Sequence, residues 1–405
     1  MKYICEEISM GSGNIYDKKI SLVLQGGGAL GSYQAGVYEA IATSRYCPDW
    51  VAGISIGAIN AALIAGNPPE HRVARLREFW ETITAPSSMW PADLKDPWSA
   101  WQKKLGGQAA LMFGQPGFFT PNNLFDWLGA TQPVSYYKTE ELKATLERLV
   151  DFDRINHAEG VRLSVGAVNI RTARFAYFDS AKIPLRAEHI MASGALPPGF
   201  PPVEIDGEFY WDGGLVSNTP LQYVLDYMPR RSRLTFQVDV FQAAGQAPTS
   251  LEEVAERQND IRYASRTRDN TNNFKQRHEV RYAINELIDT LPENLRETPE
   301  AKRLRSLGCV TTMDIAQIIY RPFSPQGAAK DYEFTRPTML RRWKQGLRDA
   351  TATLEAAPWL TPAEPHEGVR VFDVMHERLV AQNAGKSEIG GDVSDVQPVM
   401  ETKPA

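Results

Sequence analysis

The sequence predicts an α/β fold in which helices cover both faces of a mainly parallel sheet. Two successive strand–helix units carry this prediction. In the first, the apolar segment "SLVLQ" (residues 21–25) precedes the helix-like segment "ALGSYQAGVYEAIATS" (29–44). In the second, "DWVAGIS" (49–55) leads into "IGAINAALIAG" (56–66), which ends in a glycine with two prolines close behind. Such dense alternation of strands and helices is typical of parallel sheets with two helical layers.

The α/β pattern continues to residue 241. An amphipathic segment, "TEELKATLERLVDFDRIN", is followed by the strand-like segments "VRLSVGAVNI", "RFAYFDS" and "LTFQVDVF". Beyond residue 248 the chain becomes charged and helical, and its arginines are typical of a solvated helix face. We therefore predict an N-terminal extension (1–19), a catalytic domain (20–248), a mostly helical C-terminal region (249–380) and a disordered tail (381–405).

An aromatic-rich segment interrupts the pattern between residues 75 and 128. It contains five of the nine tryptophans, together with several phenylalanines, prolines and glycines. Such a segment can form a small hydrophobic cluster beside the main core beneath long loops, or it can form a lid or apolar wall for an apolar ligand. Both interpretations stay open at this point.

Composition excludes several classes of protein. The net charge of −5 argues against a dedicated nucleic-acid binder, so we expect no nucleic-acid partner. Three widely spaced cysteines argue against a disulfide framework and a zinc site, and fit a cytoplasmic protein. No export signal and no membrane-spanning segment is predicted, because the N-terminal segment lacks an apolar core and the longest apolar run is short and interrupted.

Two glycine-rich turns are candidates for chemistry. The segment "GISIG" (53–57) has the pattern G-x-S-x-G at a strand-to-helix junction, where a tight turn exposes the hydroxyl of Ser55 at a helix N-terminus. A Cβ atom at Gly53 or Gly57 would collide with the backbone of such a turn. The positive end of the helix would favour the negative charge that develops during attack on an ester.

The first turn, "LQGGGALG", can be read in two ways. Its glycines could cradle a dinucleotide, but such a site needs an acidic residue after the second strand, and Ser55 is found there. Alternatively, its amides form an oxyanion hole beside Ser55, because the carboxyl ends of adjacent parallel strands lie at one edge of the sheet. The second reading assigns the amides of Gly27, Gly28 and Ala29.

A nucleophilic serine also needs a base. None of the six histidines lies in a loop of small residues that would present a catalytic group. By contrast, "WDGGLVSNTP" places Asp212 before Gly213 and Gly214, so that a short carboxylate on a glycine turn can approach a hydroxyl directly. An ordinary N-cap or turn aspartate is the alternative for Asp212.

Three blocks in this order, "GGGALG" (26–31), "GISIG" (53–57) and "DGG" (212–214), resemble the patatin-like phospholipase family. The resemblance extends to "ASGALPPGFPPV" and "NTP" and covers about residues 20–241. It implies a three-layer α/β/α fold related to α/β-hydrolases and a serine–aspartate dyad that needs no metal or cofactor. It further implies the following roles: Ser55 as nucleophile, Asp212 as general base, Gly26, Gly27, Gly28 and Ala29 as oxyanion loop, and Gly31, Gly53, Gly57, Gly213 and Gly214 as supporting glycines.

One residue departs from the family pattern. The position before the last glycine of the first block commonly carries Arg or Lys, and here it is Leu30. If that cation assists the oxyanion or an anionic head group, this chain lacks that assistance. The backbone amides are unaffected.

These observations predict a cytoplasmic serine hydrolase that acts on lipid or other acyl esters, with possible peripheral contact to a membrane. Thioesters or polyester oligomers are alternative substrates, since both can react through an acyl-serine. A Ser-Asp-His esterase that uses His278, His366 or His376 is a second alternative. A non-enzymatic lipid- or partner-binding protein is the third.

Overall fold

The computed structural model describes residues 18–84, 114–122, 133–322, 326–327, 329–364 and 367–389. The strands in these ranges are β1 (Lys19–Leu24), β2 (Trp50–Gly53), β3 (Thr120–Pro121), β4 (Tyr137–Lys138), β5 (Arg162–Asn169), β6 (Phe175–Asp179), β7 (Val203–Ile205), β8 (Glu208–Asp212), β9 (Arg233–Asp239), β10 (Met313–Ile319) and β11 (Val369–Phe372). The α-helices are α1 (Gly31–Ala42), α2 (Ile56–Ala65), α3 (Pro69–Ile83), α4 (Glu140–Leu149), α5 (Phe152–Asn156), α6 (Ala187–Ser193), α7 (Leu221–Asp226), α8 (Leu251–Thr290), α9 (Glu293–Arg296), α10 (Pro299–Leu307), α11 (Arg336–Ala356) and α12 (Val374–Ile389).

A mixed, mainly parallel sheet organises the molecule. Its strands follow the order β11-β10-β9-β1-β2-β5-β8-β7, and β6 pairs with β5. The pairs from β11 to β5 are parallel, whereas β6, β7 and β8 pair in antiparallel fashion. Central strand β1 lies between β2 and β9, and Ser21 faces Trp50 on one side and Thr235 on the other. The predicted fold class, a mainly parallel α/β sheet, is confirmed.

Helices cover both faces of this sheet. Alternate residues of β1 contribute to separate cores: Leu22 and Leu24 belong to the larger one, which includes residues of α1 and α2. Val23 belongs to the smaller core, which includes Phe274 of α8 and residues of α7. The near-continuous apolar character of β1 reflects burial on both faces, as expected for a central parallel strand.

The C-terminal region contributes two strands and a helix to this architecture. Strands β10 and β11 extend the sheet beyond β9 in parallel, so the α/β pattern does not end at residue 241 as we expected. The segment "MDIAQII" is too short for periodicity to separate strand from buried helix, and charged helices precede it. Helix α11 packs on α1 so closely that a Cβ at Gly346 would lie 2.1 Å from the carbonyl oxygen of Tyr33.

Three local expectations can be compared with the structure. Helix α12 continues to Ile389, past the predicted start of the disordered tail at residue 381, and residues 390–405 lie outside the described ranges. The sequence argued against a disulfide framework, but Cys47 is disulfide-bonded, because sequence spacing does not limit which cysteines meet in a fold. Cys309 is a free, buried thiol.

Within the described ranges, no helix combines the length and the apolarity needed to cross a membrane.

Candidate active site

Ser55 lies at the turn between β2 and α2. Its backbone has φ 55° and ψ −127°, which residues with a side chain rarely adopt. The Ser55 amide donates to the carbonyl oxygen and to Oγ of Ser193, each at 3.1 Å. Ser193 Oγ in turn donates to the carbonyl oxygen of Gly166 at 2.7 Å. These bonds hold the strained turn and keep Ser55 at the wall of a cavity.

The glycines on either side of Ser55 are required by close packing. A Cβ at Gly53 would lie 2.2 Å from the carbonyl oxygen of Gly57. A Cβ at Gly57 would lie 2.4 Å from the carbonyl oxygen of Leu24. The collision that the sequence predicted for both positions is confirmed. Gly31, the last glycine of the first block, is also crowded, because its Cβ would lie 2.6 Å from the side chain of Ile56.

Asp212 ends β8 and its side chain is buried, with 1% of its surface exposed. Its Oδ1 accepts a hydrogen bond from the amide of Gly214 at 2.7 Å. Burial raises the pKa of Asp212 to about 7, although the Gly214 amide and the nearby Ser55 hydroxyl both act to lower it. At Gly213, a Cβ would lie 2.6 Å from the carbonyl oxygen of Gly166, so this turn also depends on glycine.

The amides of the first glycine block differ in their partners. Gly26 donates to the carbonyl oxygen of Asn218 at 3.1 Å, and Ala29 donates to the carbonyl oxygen of Asp331 at 2.8 Å. Among the described residues, the amides of Gly27 and Gly28 have no hydrogen-bond acceptor. Gly26, Gly27 and Gly28 all line the cavity that contains Ser55 and Asp212. The turn therefore presents two unpaired donors beside the serine–aspartate pair.

Two side chains that sequence reasoning did not assign hold this glycine turn. The Asn218 Nδ2 donates to the carbonyl oxygen of Gly26 at 2.9 Å, which completes a reciprocal pair with the Gly26 amide. The Gln25 Oε1 accepts from the amides of Val240 and Phe241 at 2.7 and 3.1 Å. Asn218 lies in the "NTP" segment that the resemblance includes, whereas nothing in the sequence marks Gln25.

Two models of protein families match the chain. A family model described as "Patatin-like phospholipase" matches residues 22–225, which is just over half of the chain. The chain belongs to the patatin-like phospholipase family. It is accordingly a hydrolase of lipid esters. A second model, described as "Patatin phospholipase", matches residues 261–366. No curated protein matches the chain.

Solved structures similar to this patatin-like chain include VipD from Legionella pneumophila, at 14% identity and a TM-score of 0.37 over 92% of this chain and 75% of VipD. Human GIVD cytosolic phospholipase A2 has 12% identity and a TM-score of 0.33, with 84% of this chain and 59% of that chain covered. The ExoU–SpcU complex of Pseudomonas aeruginosa has 18% identity and a TM-score of 0.28, with 71% and 58% covered. These scores are too low to support any argument about activity.

The cavity of this patatin-like protein is lined mainly by apolar and aromatic side chains. Phe118, Phe119, Tyr137 and Phe200 form one cluster, with ring centroids between 4.8 and 6.1 Å apart for most pairs. Two of these rings come from the aromatic-rich segment, which supports its interpretation as an apolar wall. Trp80 of the same segment is instead a core residue that donates to Asn60 Oδ1 at 3.0 Å. Residues 85–113 and 123–128 of the predicted lid lie outside the described residues.

No described histidine lines the cavity. His278 is buried on α8, where its Nε2 lies 2.8 Å from the carbonyl oxygen of Thr311, and burial lowers its pKa. His376 lies on α12, and His366 is outside the described residues. Leu30 is fully buried in the larger core, so this departure from the family pattern does not face the cavity.

Proposed function

We propose that Ser55 and Asp212 are the catalytic dyad of this lipid ester hydrolase and that Gly27 and Gly28 form its oxyanion hole. The Ser55 hydroxyl and the buried Asp212 carboxylate line the same cavity and interact closely enough for the hydroxyl to lower the pKa of Asp212, and this is the observation that carries the proposal. It gives the nucleophile a direct proton acceptor without an intervening histidine.

The environment of Asp212 suits it to general-base catalysis. A carboxylate at its ordinary pKa near 4 is a weak base, and efficiency improves as the pKa approaches the working pH. Burial raises the pKa of Asp212 to about 7. Asp212 is then largely ionised at pH 8, yet basic enough to take a proton from Ser55 during attack.

The amides of Gly27 and Gly28 are the proposed donors because they are unpaired, whereas those of Gly26 and Ala29 already donate to backbone carbonyls. Gly26 and Ala29 instead anchor the two ends of the turn. Donors that are oriented before the reaction stabilise a developing oxyanion without reorganisation.

The first half of the reaction forms an acyl-serine. Ser55 Oγ attacks the ester carbonyl carbon while its proton passes to Asp212, and the carbonyl oxygen becomes an oxyanion held by Gly27 and Gly28. The tetrahedral intermediate collapses, the bond to the leaving alcohol breaks, and the alcohol oxygen takes the proton from Asp212. The alcohol then departs with its proton restored.

The second half releases the fatty acid. Asp212 takes a proton from a water molecule as that water attacks the acyl-serine carbonyl, and the same two amides hold the second oxyanion. Collapse breaks the bond to Ser55 Oγ, which recovers its proton from Asp212. Every proton taken up by Asp212 is returned, so the enzyme ends in its starting state.

The rim of the cavity supports contact with a lipid surface. Val134 and Tyr136 are 72% and 55% exposed, and Tyr136 donates its amide to the carbonyl of Pro198, a cavity residue. Exposed apolar side chains beside a largely apolar cavity are typical of sites that take a substrate from an interface. We propose peripheral membrane binding through this rim.

The test is hydrolysis of p-nitrophenyl esters from C2 to C16 and of phosphatidylcholine by wild type, Ser55→Ala and Asp212→Asn. We expect a loss in kcat of at least about 10³-fold for Ser55→Ala and about 10²–10⁴-fold for Asp212→Asn. Asp239→Asn is the matched control, because Asp239 is also a buried carboxyl with its pKa raised to about 7 but does not line the cavity. Full activity in folded Ser55→Ala would contradict the proposal.

The histidine alternative is tested in the same assay. The dyad predicts that Gln substitutions at His278, His366 and His376 leave kcat within about threefold of wild type, since none takes part in proton transfer. Circular dichroism checks that each variant is folded. A loss as large as that of Asp212→Asn in a folded variant would favour a Ser-Asp-His esterase.

A further inference from the structure

We propose that Asp331, Tyr332 and Tyr263 form a subsite for the cationic amine head group of the lipid substrate. This inference rests on the proposed function, because it places the head group of the leaving alcohol next to the oxyanion turn. A carboxylate combined with aromatic side chains is the arrangement that recognises ammonium groups in proteins. All three residues line the cavity that contains Ser55.

Backbone contacts hold Asp331 against the oxyanion turn. Its carbonyl oxygen accepts the Ala29 amide at 2.8 Å. The same oxygen is 2.2 Å from the position of a Cβ on Gly28, whose φ is +53°. Asp331 therefore lies next to a proposed oxyanion donor and in the wall of the same cavity.

One oxygen of the Asp331 carboxylate lacks a hydrogen-bond partner within the described part of the chain. This atom, Oδ1, is buried. The neighbouring cations are engaged elsewhere: Lys330 pairs with Glu256 at 3.3 Å and Asp260 at 2.6 Å, and Arg342 pairs with Glu333 at 3.8 Å. Lys330 and Arg342 lower the pKa of Asp331 from a distance, but among the described residues neither forms an ion pair with it. A cation that a ligand supplies would therefore give this buried carboxylate a direct partner.

The tyrosines share this negative environment. Burial raises the pKa of Tyr332 to about 12, and Asp331, Tyr263, Tyr137 and Asp212 each raise it further. These groups therefore lie close to one another, and of them only the two aspartates can carry a negative charge near neutral pH. Tyr332 makes no ring contact with other described residues and remains 44% exposed, so its ring is accessible to a ligand.

The ring faces in this part of the protein already attract cations. Arg262 lies 5.6 Å from the ring centroid of Tyr263, and Lys330 Nζ lies 5.7 Å from that of Phe241. Phe241 and Tyr263 pack together with centroids 4.7 Å apart, which fixes the position of Tyr263 in the wall. A head-group ammonium would then contact the ring of Tyr332, the oxygen edge of Tyr263 and the carboxylate of Asp331.

The kinetic test compares phosphatidylcholine with phosphatidylglycerol of identical acyl chains in mixed micelles. Wild type is expected to favour phosphatidylcholine in kcat/KM, and Asp331→Asn is expected to reduce this ratio about tenfold, as is Tyr332→Leu, whereas Tyr332→Phe retains it. Asp331→Asn keeps the carbonyl that binds Ala29. Asp153→Asn, an exposed aspartate on α5, is the matched control and should keep the wild-type ratio.

A binding measurement separates this inference from the proposed function. Calorimetry with phosphocholine and with glycerol 3-phosphate, which share a phosphate but differ in the amine, requires no turnover. We expect tighter binding of phosphocholine by wild type and about tenfold weaker binding by Asp331→Asn. Equal binding of the two probes, or an unchanged lipid ratio in Asp331→Asn, overturns the head-group subsite even if Ser55-dependent ester hydrolysis is found. If no ester hydrolysis is found, the proposed function is wrong, and the calorimetric comparison still decides whether the head-group subsite exists.

Discussion

At the scale of single residues, burial of Asp212 sets the properties of the proposed general base. The same burial that brings its pKa to about 7 has a consequence for stability. Because the folded pKa lies above the unfolded value near 4, the folded state binds the proton more tightly, and stability decreases as pH rises from about 4 to about 7. Ionisation of the buried Asp212 carboxylate therefore lowers the stability of the folded state, as is common for groups with strongly shifted pKa values at functional sites.

The pH dependence of activity should report Asp212. Because the base must be ionised, we expect kcat/KM to rise with pH and level off above a midpoint near 7. At two units below that midpoint, activity should be about 100-fold lower. Steady-state hydrolysis of a soluble p-nitrophenyl ester between pH 4 and 9 measures this profile. A flat profile with Ser55-dependent activity would contradict the pKa tuning.

Asp239 provides the control for this assignment, because burial raises its pKa to about 7 as well. The Asp239→Asn variant should retain the wild-type midpoint, since Asp239 is absent from the cavity wall. If the rising limb of the profile disappears in Asp239→Asn, the titration belongs to Asp239 and the assignment to Asp212 is wrong.

At the scale of elements, two strand-to-helix turns at the same edge of the sheet create the site. The turn after β1 presents the amides of Gly27 and Gly28, and the turn after β2 presents Ser55. The register of the parallel pair β1–β2 places Leu24 beside Gly53, so both turns start at the same level. Asp212 reaches them from β8, which pairs with β5 in antiparallel fashion.

Substitution of Gly28 tests the oxyanion turn. In Gly28→Ala the new Cβ meets the carbonyl oxygen of Asp331 at 2.2 Å, so the turn must move. Misplacing an oxyanion donor costs about 10²–10³-fold in kcat, and we expect that loss with a smaller change in KM. Steady-state kinetics on a p-nitrophenyl ester measures both constants.

Gly207→Ala is the matched control for Gly28→Ala. Gly207 also has a positive φ, +82°, but nothing lies within 4 Å of its Cβ position. It should lose about 1–2 kcal/mol of stability from backbone strain while keeping wild-type kcat. Equal kcat values in the two alanine variants would mean that the position of the turn does not limit the reaction.

At the scale of the whole molecule, the C-terminal region completes the fold and the cavity. Strand β10 pairs with β9, helix α11 packs on α1, and Tyr33 on α1 donates to Asp349 on α11 at 3.0 Å. The backbone of Asp331 holds one end of the oxyanion turn. Residues beyond the match to the first family model thus contact the elements that position the site.

Deletion of residues 249–405 should therefore abolish folding rather than release a regulated enzyme. The truncated chain would expose the edge of β9 and the face of α1 that α11 covers, so we expect aggregation and no cooperative unfolding transition. Solubility and thermal unfolding by circular dichroism measure this. A soluble, active fragment would show instead that the C-terminal region is dispensable.

A point variant in the full chain checks the same contact. Gly346→Val places a Cβ 2.1 Å from the carbonyl oxygen of Tyr33, which should lower stability by about 1–3 kcal/mol. Lys344→Ala, at an exposed position of the same helix, should leave stability within about 0.5 kcal/mol of wild type.

The amino-acid sequence by itself determined the two strand–helix units, the mainly parallel sheet and the family. This was possible because those features depend on local patterns: apolar strands, helix-ending glycines, and glycines that a tight turn requires. Ser55 and Asp212 became candidates for the dyad by the same means, since each lies within a glycine motif whose steric need is local.

Only the tertiary structure decided which groups meet across the fold. The pKa of Asp212 depends on burial by residues from several elements. In the glycine turn, the amides of Gly26 and Ala29 are hydrogen-bonded because Asn218 and Asp331 lie beside them in the fold. Strand β10 is a strand because β9 offers it an edge, and its seven residues carry no pattern that separates strand from buried helix. Long-range pairing and burial are properties of the packed chain, and local sequence patterns do not encode them.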